Sequence, residues 1–127
     1  MKKHGILNAD LSYAIAKLGH KQIVFVVDAG MPLPADAPVV DLALVLGVPS
    51  FGQVLDALLS EIVVEGSTMA SEAEGTVVER WLAERNLHPG QVSHDDLKTM
   101  LPRASLIVRT GEATPYANVA LYCGVAF

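Results

Sequence analysis

Residues 18–34 read LGHKQIVFVVDAGMPLP. Inside this stretch Ile23–Val27 is an unbroken apolar run, rich in Val and Ile, with His20 before it and Asp28 closing it. A strand apolar on both faces belongs inside a sheet covered on two sides, the usual setting of a parallel sheet. Gln22–Asp28 is therefore predicted as a strand. The next segment, AGMPLPADAP, carries too much Pro and Gly for a further element and is predicted as a loop.

The elements on either side agree with that setting. Leu11, Ile15 and Leu18 fall at i, i+4 and i+7, which predicts a helix over 8–18, with Asn8 as its N-cap and Gly19 as its stop. Val40–Leu46 reads as a second short apolar strand, ended by GVPS. Ser50 then caps a helix to about Leu59, and Glu61–Met69 reads as a third strand. Ser71–Asn86 is predicted as a helix with Trp81 on its buried side, broken by LHPG. Ser93 caps another helix, HDDLKTML, whose Asp95 and Asp96 lie in the first turn, where the helix dipole favours acids. Ser105–Arg109 and Val119–Val125 are predicted as strands. Strands alternating with helices give one α/β domain over residues 1–127: three layers, with a mostly parallel sheet flanked by helices.

Bulk properties limit the function. The chain has 127 residues, the size of one domain. It is 51% hydrophobic with a mean hydropathy of +0.38, high for a small protein that must expose much of its chain. No apolar run reaches membrane-spanning length, and His4, Asn8 and Asp10 interrupt any signal-peptide core behind Lys2 and Lys3. The expectation is a cytoplasmic homo-oligomer that buries its apolar excess against copies of itself. Net charge is −5, and the 9 basic residues are scattered, so nucleic acid is not an expected partner. The single cysteine, Cys123, reads as a small buried hydrophobe.

The chain lacks GxGxxG, a P-loop, HExxH and GxSxG, which disfavours dinucleotide, nucleotide-phosphate and zinc chemistry. In open α/β sheets ligands collect beyond the carboxyl ends of strands. Asp28 lies at one such end, and TGEATPYAN comes after another, beyond Arg109. The candidate polar groups are His20, Asp28, His94, Tyr116 and Asn118. Each has a plain structural reading beside the functional one. His20 at a helix end can simply answer the helix dipole. Asp28 can cap its own turn, His94 can be a surface residue, and PYAN can be ordinary turn chemistry. His4 and His88 read as surface residues. As a set, the candidates suit a small polyhydroxylated ligand and cofactor-free proton transfer, with His trading protons near neutrality and the others holding hydroxyls.

Five segments carry a resemblance: MKKHGILN at 1–8, LGH with DAGMPLP at 18–20 and 28–34, DLAL.LGVPSF at 41–51, SHDDLK at 93–98, and VRTGEATPYANVAL..GVAF at 108–127. In order and in register, they resemble the ribose pyranase / L-fucose mutarotase family over nearly the whole chain. The resemblance implies interconversion of the pyranose and furanose forms of free ribose, and of its anomers, without cofactor or metal. It implies pentameric rings stacked into decamers, with each site shared between neighbouring subunits. By position, His20 matches the family's catalytic proton donor. Asp28, His94, Tyr116, Ala117 and Asn118 match sugar-binding residues, and Lys98, one turn after His94, is a further candidate. Anomer exchange of L-fucose, or a non-catalytic sugar-binding ring, are the alternatives.

Overall fold

A computed structural model describes residues 1–127. The ten elements in chain order are α1 (Ala9–Ala16), β1 (Ile23–Val27), β2 (Val39–Asp41), α2 (Phe51–Leu59), β3 (Val64–Ala70), α3 (Val77–Ala83), β4 (Gly90–Val92), α4 (His94–Met100), β5 (Leu106–Arg109) and β6 (Val119–Cys123). Short 3₁₀ turns occupy Ser71–Ala73 and Leu101–Arg103. The six strands form one sheet in the order β2-β5-β1-β6-β3-β4. Five run the same way; β6 opposes both of its neighbours, β1 and β3. The sheet is thus mostly parallel, as its apolar strands predicted.

The alternation along β1 divides the core. Val24 and Val26 face a cluster that includes Leu11, Phe51, Leu55, Leu58 and Leu82, from α1, α2 and α3. Phe25 and Val27 face a second cluster with Met31, Leu97, Leu101 and Ile107, to which α4 and the proline-rich loop contribute. All four of these β1 side chains are fully excluded from solvent. Burying a side chain of this size is worth about 1.5–3 kcal/mol, so β1 is an anchor for both layers.

The caps act as predicted. Asn8 accepts from Leu11 N–H, Ser50 and Gln53 form a reciprocal capping box, and Ser93 accepts from Asp96 N–H. Boundaries differ where local hydrogen bonds compete. α1 ends at Ala16, because Lys17 and Leu18 tighten onto Ala14 and Ile15 through i→i−3 bonds; the left-handed residue after it is Lys21, not Gly19. The strand expected over 40–46 is only Val39–Asp41. Asp41 Oδ1 accepts from Ala43 N–H, an Asx turn that ends the strand. β3 begins at Val64, since Glu61 and Ile62 donate back to Leu58 O to close α2. The helix expected over 71–86 breaks at Gly75, where φ is +73°, and restarts at Thr76, whose hydroxyl caps Val78 N–H. Trp81 is half-buried, its ring tilted against Phe51 at 6.4 Å. β4 is an addition to the expected strands. Its three residues, beginning at Gly90, show no periodicity, and only pairing with Thr68–Ala70 makes them a strand.

Residues 42–49 form a loop tied down by Gly111. Gly47 N–H donates to Gly111 O at 2.6 Å, and Gly111 N–H donates to Pro49 O at 2.9 Å. A Cβ at Gly111 would collide with the carbonyl oxygens of Val45 and Val48, which are backbone atoms and cannot swing aside. Gly111→Ala is therefore expected to lose about 1–3 kcal/mol of stability, read as a lower midpoint in urea with an unchanged slope.

Candidate functional site

Topology places the polar groups before any side chain is considered. The carboxyl ends of β1, β2, β3, β4 and β5 and the amino end of β6 share one edge of the sheet. Asp28, Asp41, Arg109, Asn118 and, one cap residue past β4, His94 all lie along it. His20 precedes β1 and so lies at the opposite edge. Eight residues at about 3.3 Å each put it up to roughly 26 Å from Asp28 in the same chain.

Asp28 and Asn118 are locked together. Asp28 N–H donates to Asn118 Oδ1 and Asn118 Nδ2 donates to Asp28 Oδ2, both at 2.8 Å. Gly30 N–H adds a bond to Asp28 Oδ1 at 2.9 Å. Asn118 is wholly buried while Asp28 is half-exposed. Asn118 thus acts on Asp28, holding the carboxylate in one orientation at the mouth of the edge. The loop behind it is stitched to the end of β1. Thr110 donates to Val27 O through both its N–H and its hydroxyl, and Ala29 N–H donates to Glu112 O.

Tyr116, just before Ala117 and Asn118, has φ +63°, a left-handed conformation rare for an aromatic residue and concentrated at functional positions. Its ring meets the His94 ring edge-on, centroids 5.2 Å apart and planes at 80°. Ala117 is buried. His94 N–H donates to Glu72 Oε2 at 2.8 Å, fixing the start of α4. His94 Nδ1 is buried with no hydrogen-bond partner from the chain, and leaving such an atom unpaired costs about 1–3 kcal/mol. His94, Tyr116, Ala117, Asn118 and Asp28 therefore form one connected constellation. Lys98 is less engaged: its Nζ is 3.4 Å from Asp95 Oδ1 on its own helix.

Two residues that sequence reasoning did not single out build the wall beside Asp28. Arg109 donates from Nε and Nη2 to Ala29 O and from Nη1 to Asp41 Oδ2 at 2.8 Å, clamping the loop that carries Asp28. Glu112 is buried and accepts from Phe51, Ala113 and Thr114 N–H and from the Thr114 hydroxyl. A charge at the end of an apolar strand and an acid in a Gly-Glu loop were the available signals. A cavity of about 400 Å³ is lined by Asp28, Gly30, Leu46, Arg109 and Glu112, among others. A larger hollow of about 490 Å³ between the N-terminal segment and α2 carries no titratable side chain.

At the other edge, His20 Nε2 lies 2.9 Å from Glu65 Oε2, with both side chains nearly half exposed (46% and 43%). An isolated chain thus holds the Asp28–Asn118 pair at one end of β1 and the His20–Glu65 pair at the other.

These features define a small α/β protein with a cluster of fixed polar side chains beyond the carboxyl ends of its parallel strands. The chain belongs to the RbsD / FucU transport protein family, which it matches over residues 1–126. Curated relatives named D-ribose pyranase include those of Cutibacterium acnes, 54% identical over 127 residues, and Streptomyces coelicolor, 54% identical over 129 residues; in both, all of each chain is covered. Among solved structures, Bacillus subtilis RbsD complexed with D-ribose superposes with a TM-score of 0.92 at 37% identity, covering all of both chains. The fucose mutarotase of Streptococcus pneumoniae, in complex with L-fucose, shares the fold, with a TM-score of 0.81 at 19% identity over 99% of this chain and all of that one.

Two variants probe this edge. Asn118→Ala strips Asp28 of two partners and is expected to destabilise the fold by about 1–3 kcal/mol and to weaken sugar binding, measured by thermal melting and by titration with ribose. For Glu112, burial pushes its carboxyl pKa up, but the hydrogen bonds from Phe51, Thr114 and Ala113 outweigh it, leaving it below the ordinary 4.5. Its ionised form is therefore the one the fold favours. The associated stability is present above pH 4.5 and lost as pH falls through the lower folded value. Glu112→Gln is expected to flatten that part of the acid-unfolding curve and to lower stability at neutral pH.

Proposed function

We propose that the chain is a cofactor-free isomerase that interconverts β-D-ribopyranose and β-D-ribofuranose, and their anomers, in the cytoplasm. The observation that carries this reading is the meeting, at one sheet edge, of the DAGMPLP, SHDDLK and TGEATPYAN segments through the Asp28–Asn118 and His94–Tyr116 contacts. The full-length identity to proteins named D-ribose pyranase supports ribose as the substrate. No helix is long and apolar enough to cross a membrane.

The chemistry is proton traffic. Opening a hemiacetal ring takes a proton from the anomeric hydroxyl and returns one to the ring oxygen. The aldehyde then recloses through the 4-hydroxyl to the furanose or the 5-hydroxyl to the pyranose. Atoms balance without an oxidant or a second substrate. In this reading His20 supplies and recovers the proton. Asp28, His94, Tyr116, Ala117 and Asn118 bind the sugar, with Lys98 at the periphery. Ring opening already proceeds in water, so general acid–base help of about 10²–10⁴-fold suffices.

His20 and Asp28 stand too far apart to act on one sugar within one chain. The reading therefore requires that a neighbouring copy bring its His20 to the Asp28 cradle. The exposed apolar residues fit such an assembly: Leu46, 79% exposed, lines the cavity beside Asp28, Leu44 on the same loop is 77% exposed, and Val63, Val125 and Phe127 are exposed near His20's edge of the sheet. Patches of this kind mark interfaces. A decamer of two stacked pentamers is the proposed form.

Exchange spectroscopy on equilibrated ribose tests the reading. Faster magnetisation transfer between pyranose and furanose anomeric protons, abolished by His20→Ala with sugar binding retained, is the expected result. Exchange with L-fucose and none with ribose replaces it by mutarotation of a different sugar. Binding without exchange of either sugar leaves a sugar-binding ring.

A further inference from the structure

The structure assigns Glu65 as the positioning residue of His20: its carboxylate fixes the imidazole tautomer and rotation so that Nδ1, not Nε2, is the nitrogen that trades protons with the sugar. The inference rests on the reading of His20 as the acid/base group. Three features of the chain carry it.

The first is the contact. His20 Nε2 and Glu65 Oε2 are 2.9 Å apart. An ionised carboxylate can only accept, so the proton of the neutral ring sits on Nε2 and the lone pair on Nδ1. Cys123, at the end of the strand between the two partners, is buried. Burial and the nearby Glu65 both push its thiol up, keeping it protonated and out of the proton traffic.

The second is how Glu65 reaches across. β6 lies between β1 and β3 in the sheet, so Glu65 must lean over the end of a whole strand. The β3–β6 register jumps there: Val64 pairs with Cys123 and Gly66 with Tyr122, leaving Glu65 as the extra residue of a β-bulge. A bulge re-aims one side chain out of the regular alternation and concentrates next to active sites. Here the re-aimed side chain is the one that meets His20.

The third is the space for it. Gly124 comes directly after Cys123 at the end of β6. A Cβ there would stand 3.4 Å from Glu65 Cβ and 3.0 Å from Val63 Cγ1. The glycine thus leaves the root of the Glu65 side chain uncrowded beside the bulge. The backbone beside His20 is held on its own side, since Lys21 N–H donates to Cys123 O at 2.8 Å and Cys123 N–H donates to Gln22 O at 2.9 Å. A surface ion pair left to chance would need neither device, and its worth would be near zero.

Long-range proton–nitrogen correlation of the histidine rings in the intact assembly is the direct test, with His20 assigned by its loss in His20→Ala. The expected result is an Nε2–H tautomer for His20 in the wild type, and a mixed population in Glu65→Ala. Turnover of ribose in Glu65→Ala is expected to fall about 10–10²-fold, as when a partner that orients an imidazole is removed, with KM unchanged because the Asp28 cradle is untouched. Gly124→Ala, which keeps the carboxylate but sets a methyl against Val63 Cγ1 and Glu65 Cβ at the root of its side chain, should lower turnover in the same direction. A wild-type His20 protonated on Nδ1, or wild-type turnover in Glu65→Ala beside an inactive His20→Ala, overturns the assignment and leaves the isomerase reading standing. Full exchange in His20→Ala overturns the role of His20 and that of Glu65 with it. If Glu65→Ala does not fold, the wild-type tautomer and Gly124→Ala decide between the same two answers.

Discussion

Everything in this fold hangs on β1 having no free side. Its two faces are sealed by separate apolar clusters, and its two edges are taken by β5 and β6. A strand so enclosed can carry no polar side chain along its length without an uncompensated burial cost. The only places left for chemistry are its two ends. That is where His20 and Asp28 stand, and it explains a titratable group before and after five residues that admit none.

The two ends are built differently. At the Asp28 end, backbone and side-chain hydrogen bonds converge until little can move: Thr110 and Glu112 tie the loop to β1, Arg109 ties Ala29 to Asp41, and buried Asn118 grips Asp28 itself. A sugar's hydroxyls differ only in direction, so a group that distinguishes them must be held still. At the His20 end the pair with Glu65 is open to solvent on an isolated chain. Under the proposed role, in which His20 releases and recaptures protons, a defined partner matters more than a rigid cage.

The sheet was legible because its central strands β1, β5 and β6 are largely apolar on both faces, a pattern that a half-exposed hairpin does not show. The caps at Asn8, Ser50 and Ser93 were legible for a similarly local reason: a polar residue just before an apolar period has one good use. Asp41 turning back on Ala43, Thr76 restarting a helix and β4 existing only through its pairing with β3 were not legible. Each is decided by a competition between hydrogen bonds that the residue types alone leave even. The same holds for the site. Asp28, Tyr116 and Asn118 could be found from their loops. The locking of Asn118 onto Asp28, the clamp of Arg109 and the lean of Glu65 across β6 join residues up to 90 positions apart, and no local pattern announces them.

The separation of His20 from Asp28 has a genetic side. In an assembly where each site borrows its histidine from one copy and its cradle from the next, a chain spoiled at one end is still a sound donor at the other. Two alleles, each inactive alone, would rescue one another in a mixed population wherever sound head met sound tail. The same junctions would leave a matching share of sites with both halves broken. Selection on such a gene acts on the neighbourhood a chain keeps, as well as on the chain.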